Sequence, residues 1–267
     1  MSPGFLARLP ADDQAVARDN RLETHLSLNF GFNLFFLAAA YGLTDSIDVS
    51  LALSINQAHM QANAKAVITD PNGDQGAFFT VNQRGVVIGG TGECATDFRC
   101  AVDQFDDSAV GTGGVYLRGK WNFANTRYVD VAGVAVLTVP TGNADELLGF
   151  HAPTFTPTLV MSKTFGRLSP HVNAGYSFRS NDDVSQSQWI AGADARAFDG
   201  LTLALDFLGF HDDDRDDIND DVYQSSVAFK LNPIGNIVIG AGFQFPLNRA
   251  GLRADVIYTG ALEYTFD

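Results

Sequence analysis

Residues alternate between apolar and polar over stretch after stretch of this chain, and that pattern constrains the fold more than any motif does. In a β-strand successive side chains point to opposite faces, so a period of two builds one apolar and one polar side. Near the C-terminus Leu252, Ala254, Val256, Tyr258, Gly260, Leu262, Tyr264 and Phe266 share one face, against the mostly polar Arg253, Asp255, Ile257, Thr259, Ala261, Glu263 and Thr265. Ile237, Ile239, Ala241, Phe243, Phe245 and Leu247 likewise alternate with Asn236, Val238, Gly240, Gly242, Gln244 and Asn248, and Leu201, Leu203, Leu205 and Phe207 oppose Thr202, Ala204 and Asp206. The same holds where Val115, Leu117, Gly119, Trp121 and Phe123 face away from Tyr116, Arg118, Lys120 and Asn122.

A soluble β-sandwich also alternates. Three features point elsewhere. The strands run to about 10 to 13 residues, a membrane-crossing length, where soluble strands average nearer five or six. Their polar face carries charges in mid-strand, Arg118, Lys120, Asp194, Arg196 and Asp206 among them. Aromatic residues (Trp121, Phe123, Tyr258, Tyr264, Phe266) gather near strand ends, as in the girdles of membrane barrels. The expected fold is all-β: a transmembrane up-and-down antiparallel β-barrel of a bacterial outer membrane.

Composition agrees. Of 267 residues only 18% are charged, while Gly (26) and Phe (21) are abundant. Hydropathy is nonetheless average, as expected when only every second strand residue meets lipid. No run approaches the roughly 18 to 20 apolar residues of a membrane helix. The net charge of −14 argues against a nucleic-acid partner, whose phosphates call for Lys and Arg.

Strands are expected at 25–40, 46–60, 112–124, 128–140, 151–165, 168–180, 186–198, 200–211, 221–232, 235–248 and 251–266. Short turns, such as Gly166-Arg167 and Asp199-Gly200, alternate with longer connections, such as 141–150 and 212–220. Short turns belong to the periplasmic side and long loops to the outside. Phe266 then lies at the periplasmic end, where a terminal Tyr264-Thr-Phe266 suits recognition by the barrel-assembly machinery. About eleven strands is an odd count. Bacterial barrels have even counts, so the complete protein is expected to have about twelve. Residues 1–24 are accordingly read as an extracellular segment or a truncated first strand, with Gly4–Leu9 its remnant, and 25–267 as the barrel with a long extracellular loop at about 61–111. The start lacks an apolar signal core, so an export signal is expected to have been removed or lost.

The two cysteines, Cys94 and Cys100, sit in a polar part of that loop. The reading is a disulfide, which implies an oxidising compartment; the alternative is two free thiols. No metal site or cofactor is expected. The acidic run His211–Asp221 lacks the glycine and spacing of a calcium loop and reads as a solvated loop. Ser169, His171 and Asn173 share one strand face, but two-residue spacing follows from alternation itself, and no enzyme activity is expected.

Several motifs together resemble a known family. They are Tyr41-Gly-Leu-Thr-Asp-Ser-Ile-Asp-Val, Tyr116-Leu-Arg-Gly-Lys-Trp, Leu137-Thr-Val-Pro-Thr-Gly142, Thr158-Leu-Val-Met-Ser-Lys-Thr-Phe-Gly166 and Val172-Asn-Ala-Gly-Tyr-Ser-Phe178. In this order they resemble the outer-membrane transporters grouped under the MetA-pathway of phenol degradation. The resemblance covers most of the chain from Leu34 onward and implies passage of small molecules, aromatic or apolar ones among them. It supplies no catalytic residues.

The residues expected to line a lumen are Arg118, Lys120, His171, Arg179, Asp194, Arg196, Asp206, Lys230, Arg253, Asp255 and Glu263. Opposed charges along a narrow path would select solutes by charge and size. A salt-bridge network plugging the lumen is the structural alternative. The expected function is passive passage of small solutes across the outer membrane, with lipid and lipopolysaccharide as surroundings; the rival is a non-conducting structural or anchoring barrel.

Overall fold

A slip of one residue in strand pairing would turn every side chain to the wrong face, so strict alternation specifies register. The computed structural model describes residues 21–69, 80–81, 87–88, 100–146, 148–149, 151–180, 185–213, 221–250 and 254–266. Its strands are β1 (Arg21–Thr44), β2 (Ile47–Thr69), β3 (Thr80–Val81), β4 (Val87–Ile88), β5 (Cys100–Asn125), β6 (Asp130–Pro140), β7 (Thr154–Ser162), β8 (Leu168–Arg179), β9 (Gln186–Phe198), β10 (Leu201–Asp212), β11 (Asp221–Ile234), β12 (Ile237–Pro246) and β13 (Ile257–Tyr264). Eleven form one antiparallel sheet in the order β1-β2-β5-β6-β7-β8-β9-β10-β11-β12-β13, and β3 pairs with β4 alone. This all-β meander is the strand order of an up-and-down barrel. Among the described residues the only helical element is one 3-10 turn, Ala144–Glu146.

The chain divides into two compact units, residues 1–34 with 56–110, and residues 35–55 with 111–267. The second holds β6 to β13 whole. Its registers keep the faces that the sequence pattern predicts. Leu203, Leu205 and Phe207 of β10 stand opposite Phe229, Val227 and Ser225 of β11, and Val227 and Phe229 stand opposite Phe243 and Ala241 of β12. On the other face Thr202, Ala204 and Asp206 meet Arg196, Asp194 and Gly192 of β9.

The burial is inverted relative to a soluble protein. Leu205 and Phe207 are 46% and 45% exposed, whereas Thr138 and Ser177 on the polar face are 7% and 8% exposed.

The turns carry their own chemistry. Thr44 Oγ1 accepts the amide N–H groups of Ser46 and Ile47, and Thr126 Oγ1 does the same for Tyr128 and Val129. Each hydroxyl thus satisfies two donors that the tight reversal takes out of the ladder. Gly166 and Gly200 turn with φ of +62° and +90°, a region that glycine enters without a Cβ clash.

Two expectations are revised. The strands flanking the long loop extend well into it, β2 to Thr69 and β5 back to Cys100; the pairing of Thr80 and Val81 with Ile88 and Val87 inside the loop is instead a hairpin that its Phe-Thr-Val and Val-Val-Ile stretches allow. In β5 the reason is that 100–111 has no apolar face to betray a strand; in β2 polar residues (Gln57, His59, Gln61, Asn63) take over the face that Leu51, Leu53 and Ile55 hold nearer the turn. At the other end β13 begins at Ile257 rather than near Gly251. Pro246, which has no N–H to donate, ends β12, and Leu247 and Asn248 bond instead to Tyr223 and Asp221 of β11. Residues ahead of Ile257 therefore have no partner strand in β12. Residues 1–20, including the expected remnant Gly4–Leu9, lie outside the described residues.

Candidate functional site

The polar face of β8 to β12 is organised in lateral rows, because residues opposite each other in the registers point to the same side. Nearest the short turns runs Arg196–Thr202–Lys230–Gly240. The next row is Ser169–Asp194–Ala204–Ala228–Gly242. Above it comes His171–Gly192–Asp206–Ser226–Gln244. Small residues (Ala204, Ala228, Gly242) thus lie between the cations below and the polar groups above, and they leave space over the sheet.

The third row holds the most specific contact. His171 Nε2 lies 2.8 Å from Asp206 Oδ1, although β8 and β10 are not neighbours. Gly192 of β9 sits between them, and a Cβ there would overlap the Asp206 carboxylate and come within 2.6 Å of the Leu205 carbonyl. The missing side chain is what lets an aspartate reach an imidazole across an intervening strand. Asp194 Oδ2 is 4.0 Å from His171 Nδ1, so two carboxylates flank one ring. In the same row the amide Nε2 of Gln244 donates to Gln224 Oε1. One register step higher on β8, Asn173 Oδ1 is buried and has no hydrogen-bond partner among the described residues.

Of the residues expected to line a lumen, the structure brings His171, Asp194, Asp206, Arg196 and Lys230 into these rows. Arg118 and Lys120 share the polar face on β5, opposite Val136 and Val134 of β6. Arg179 closes the loop end of β8 opposite Thr154, and Glu263 is opposite Val238 of β12. Asp255 is in a bend ahead of β13, not on the strand, for want of a partner beyond Pro246. Arg253 lies outside the described residues, as do Cys94 and the Cys100 side chain on which the disulfide reading rests. Only the ends of the acidic run are described: His211 Nδ1 is 3.0 Å from Asp221 Oδ1, and its Nε2 is 3.6 Å from Asp213 Oδ1. Ser169 and His171 share a face but have different partners, for Ser169 Oγ pairs with Thr164 Oγ1 at 2.9 Å and His171 with Asp206.

Two features escaped the sequence reading. Lys163 Nζ donates to the Thr126 carbonyl at 2.6 Å and to Asp130 Oδ1 at 3.0 Å, which ties together two short turns that are 37 residues apart. The second is Gly192, whose role depends on what stands on both neighbouring strands. A glycine at a polar-face position between two charged partners is the only trace of it along the chain.

No family model matches the chain, and no curated protein is detectably similar to it. The resemblance to the transporter family therefore rests on the quoted motifs alone.

Proposed function

We propose that the chain forms the wall of an outer-membrane barrel whose polar face is a path for small solutes, in the manner of the transporter family it resembles. One observation carries this reading. The apolar face is the exposed one and the polar face the more sheltered one: Arg118, Lys120, Asp194 and Asp206 are half-buried on it, while Arg196 and Lys230 are exposed on that same face nearest the short turns. Lipid on one side and water on the other is the environment in which that segregation is stable, since unpaired charge in hydrocarbon costs several kcal/mol. Exposed rings near the short-turn ends support the same placement: Trp121 with Phe123 (centroids 5.5 Å apart) and Tyr264 with Phe266 (4.7 Å) have the position of an interfacial girdle.

Reconstitution into planar bilayers tests it. Discrete conductance steps are expected, and Arg118→Ala with Arg196→Ala should shift their size or ion selectivity. A membrane-inserted protein with no conductance would favour the non-conducting anchoring barrel.

A further inference from the structure

We infer that the short-turn end of the polar face binds a small oxyanion, a carboxylate or a phosphate, between Arg196, Lys230 and the hydroxyl of Thr202. The inference deepens the solute-path reading and rests on it for its physiological sense, though binding itself can be measured without transport.

A concavity of about 280 Å³ lies here. Arg167, Arg196 and Lys230 line it together with Thr202, Ser169 and a single carboxylate, Asp194. Three cations against one anion is an excess of positive charge inside a chain whose net charge is −14. The cations are not spent on each other's neighbours. Arg167 Nη1 donates to the Ala197 carbonyl at 3.1 Å, while Arg196 and Lys230 have neither a hydrogen bond nor an ion pair from their side chains among the described residues. Asp194 is turned toward His171, 4.0 Å from its Nδ1, in the row above.

Register sets the spacing. Lys230 and Arg196 stand directly across Thr202 on the two flanking strands, so their Cα atoms are about 10 Å apart, twice the interstrand distance. Their long side chains can converge on one group above the threonine. A guanidinium offers a planar fork that matches two oxygens of a carboxylate or phosphate, an ammonium adds a movable point charge, and a hydroxyl donates a third bond. The alanines and glycines of these rows keep the approach open. An apolar solute would leave both cations without a partner, and a cation would meet repulsion.

The test uses the full chain, folded in detergent and titrated calorimetrically with sodium phosphate and, separately, sodium succinate, at fixed ionic strength. Saturable heat is expected for at least one anion; which one responds distinguishes a phosphate from a carboxylate ligand. Arg196→Ala with Lys230→Ala should weaken binding at least tenfold, and Arg127→Ala, in a turn outside the cavity, should leave it within twofold. If the alanine pair does not fold, Arg196→Gln with Lys230→Met keeps the side-chain bulk and should show the same loss. No binding of either anion, or binding unchanged in the double variant, overturns the site. Bilayer recordings separate this from the wider reading. Anion binding without conductance would sink the solute path and keep the site; conductance without anion binding would do the reverse.

Discussion

Strands β6 to β12 end after 9 to 14 residues, whereas β1, β2 and β5 run for 23 to 26. Most of the shorter set keeps its alternation; β6, apolar on both faces through Ala132–Leu137, is the exception. Of the longer set, β1 keeps it too, with Leu26, Leu28, Phe30 and Phe32 against His25, Ser27, Asn29 and Gly31, whereas β2 and β5 lose the apolar face away from the short turns. Along β5, Phe105 and Asp107 fall on one side and Gln104, Asp106 and Ser108 on the other, so neither side is apolar. Both sets are extended and hydrogen-bonded, and β5 is the longest of all. Backbone pairing therefore decides how far a strand runs, and surroundings decide whether its side chains alternate. A strand with lipid on one side must segregate; a strand with water on both sides need not.

The contrast is open to three tests. The largest effect is expected from a charge on the exposed apolar face. Leu205→Lys, in the middle of β10, should cost about 2–4 kcal/mol in a bilayer, while Phe105→Lys in the polar stretch of β5 should change stability by less than about 0.5 kcal/mol. Unfolding by urea in lipid vesicles measures both, and equal costs would erase the distinction between the two regions.

Next come the glycines. Gly192→Ala should cost about 1–3 kcal/mol by overlapping Asp206 and breaking its bond to His171. Gly119→Ala, where a Cβ meets nothing within 4 Å, should be neutral or slightly stabilising. The same unfolding assay compares them, and a neutral Gly192→Ala would show that the His171–Asp206 contact does not hold the rows.

The smallest effect separates two histidine–aspartate pairs. His171 and Asp206 are 2.8 Å apart and 19% and 25% exposed; His59 and Asp106, in the first unit, are 3.8 Å apart and 48% and 64% exposed. Double-mutant cycles to alanine should give a coupling of about 0.5–1.5 kcal/mol for the first pair and close to zero for the second. A larger coupling for the exposed pair would reverse the ranking of the two regions.

Much of the fold was legible because period-two patterning is a local property of the chain. The faces of Leu205 and Asp206, or of Leu117 and Arg118, need no partner to be assigned, and the short turns announce themselves by Asp199-Gly200 and Gly166-Arg167. The extents of β2, β5 and β13 were not legible, for different reasons. In 61–69 the polar residues (Gln61, Asn63, Lys65) sit on the face that is apolar earlier in β2, residues 100–111 have no unlike faces to compare, and the start of β13 depends on where Pro246 stops offering backbone to it.

The candidate site divides the same way. The sequence by itself determined that His171, Asp194, Arg196, Asp206 and Lys230 share the polar side, because parity along a strand is enough to say so. It could not say which of them meet. Register between strands joins residues tens of positions apart, and only that register placed Lys230 and Arg196 on either side of Thr202 and carried Asp206 over Gly192 to His171. The physical reason is that a side chain's face follows from its own strand, whereas its neighbours follow from hydrogen bonds made by two others.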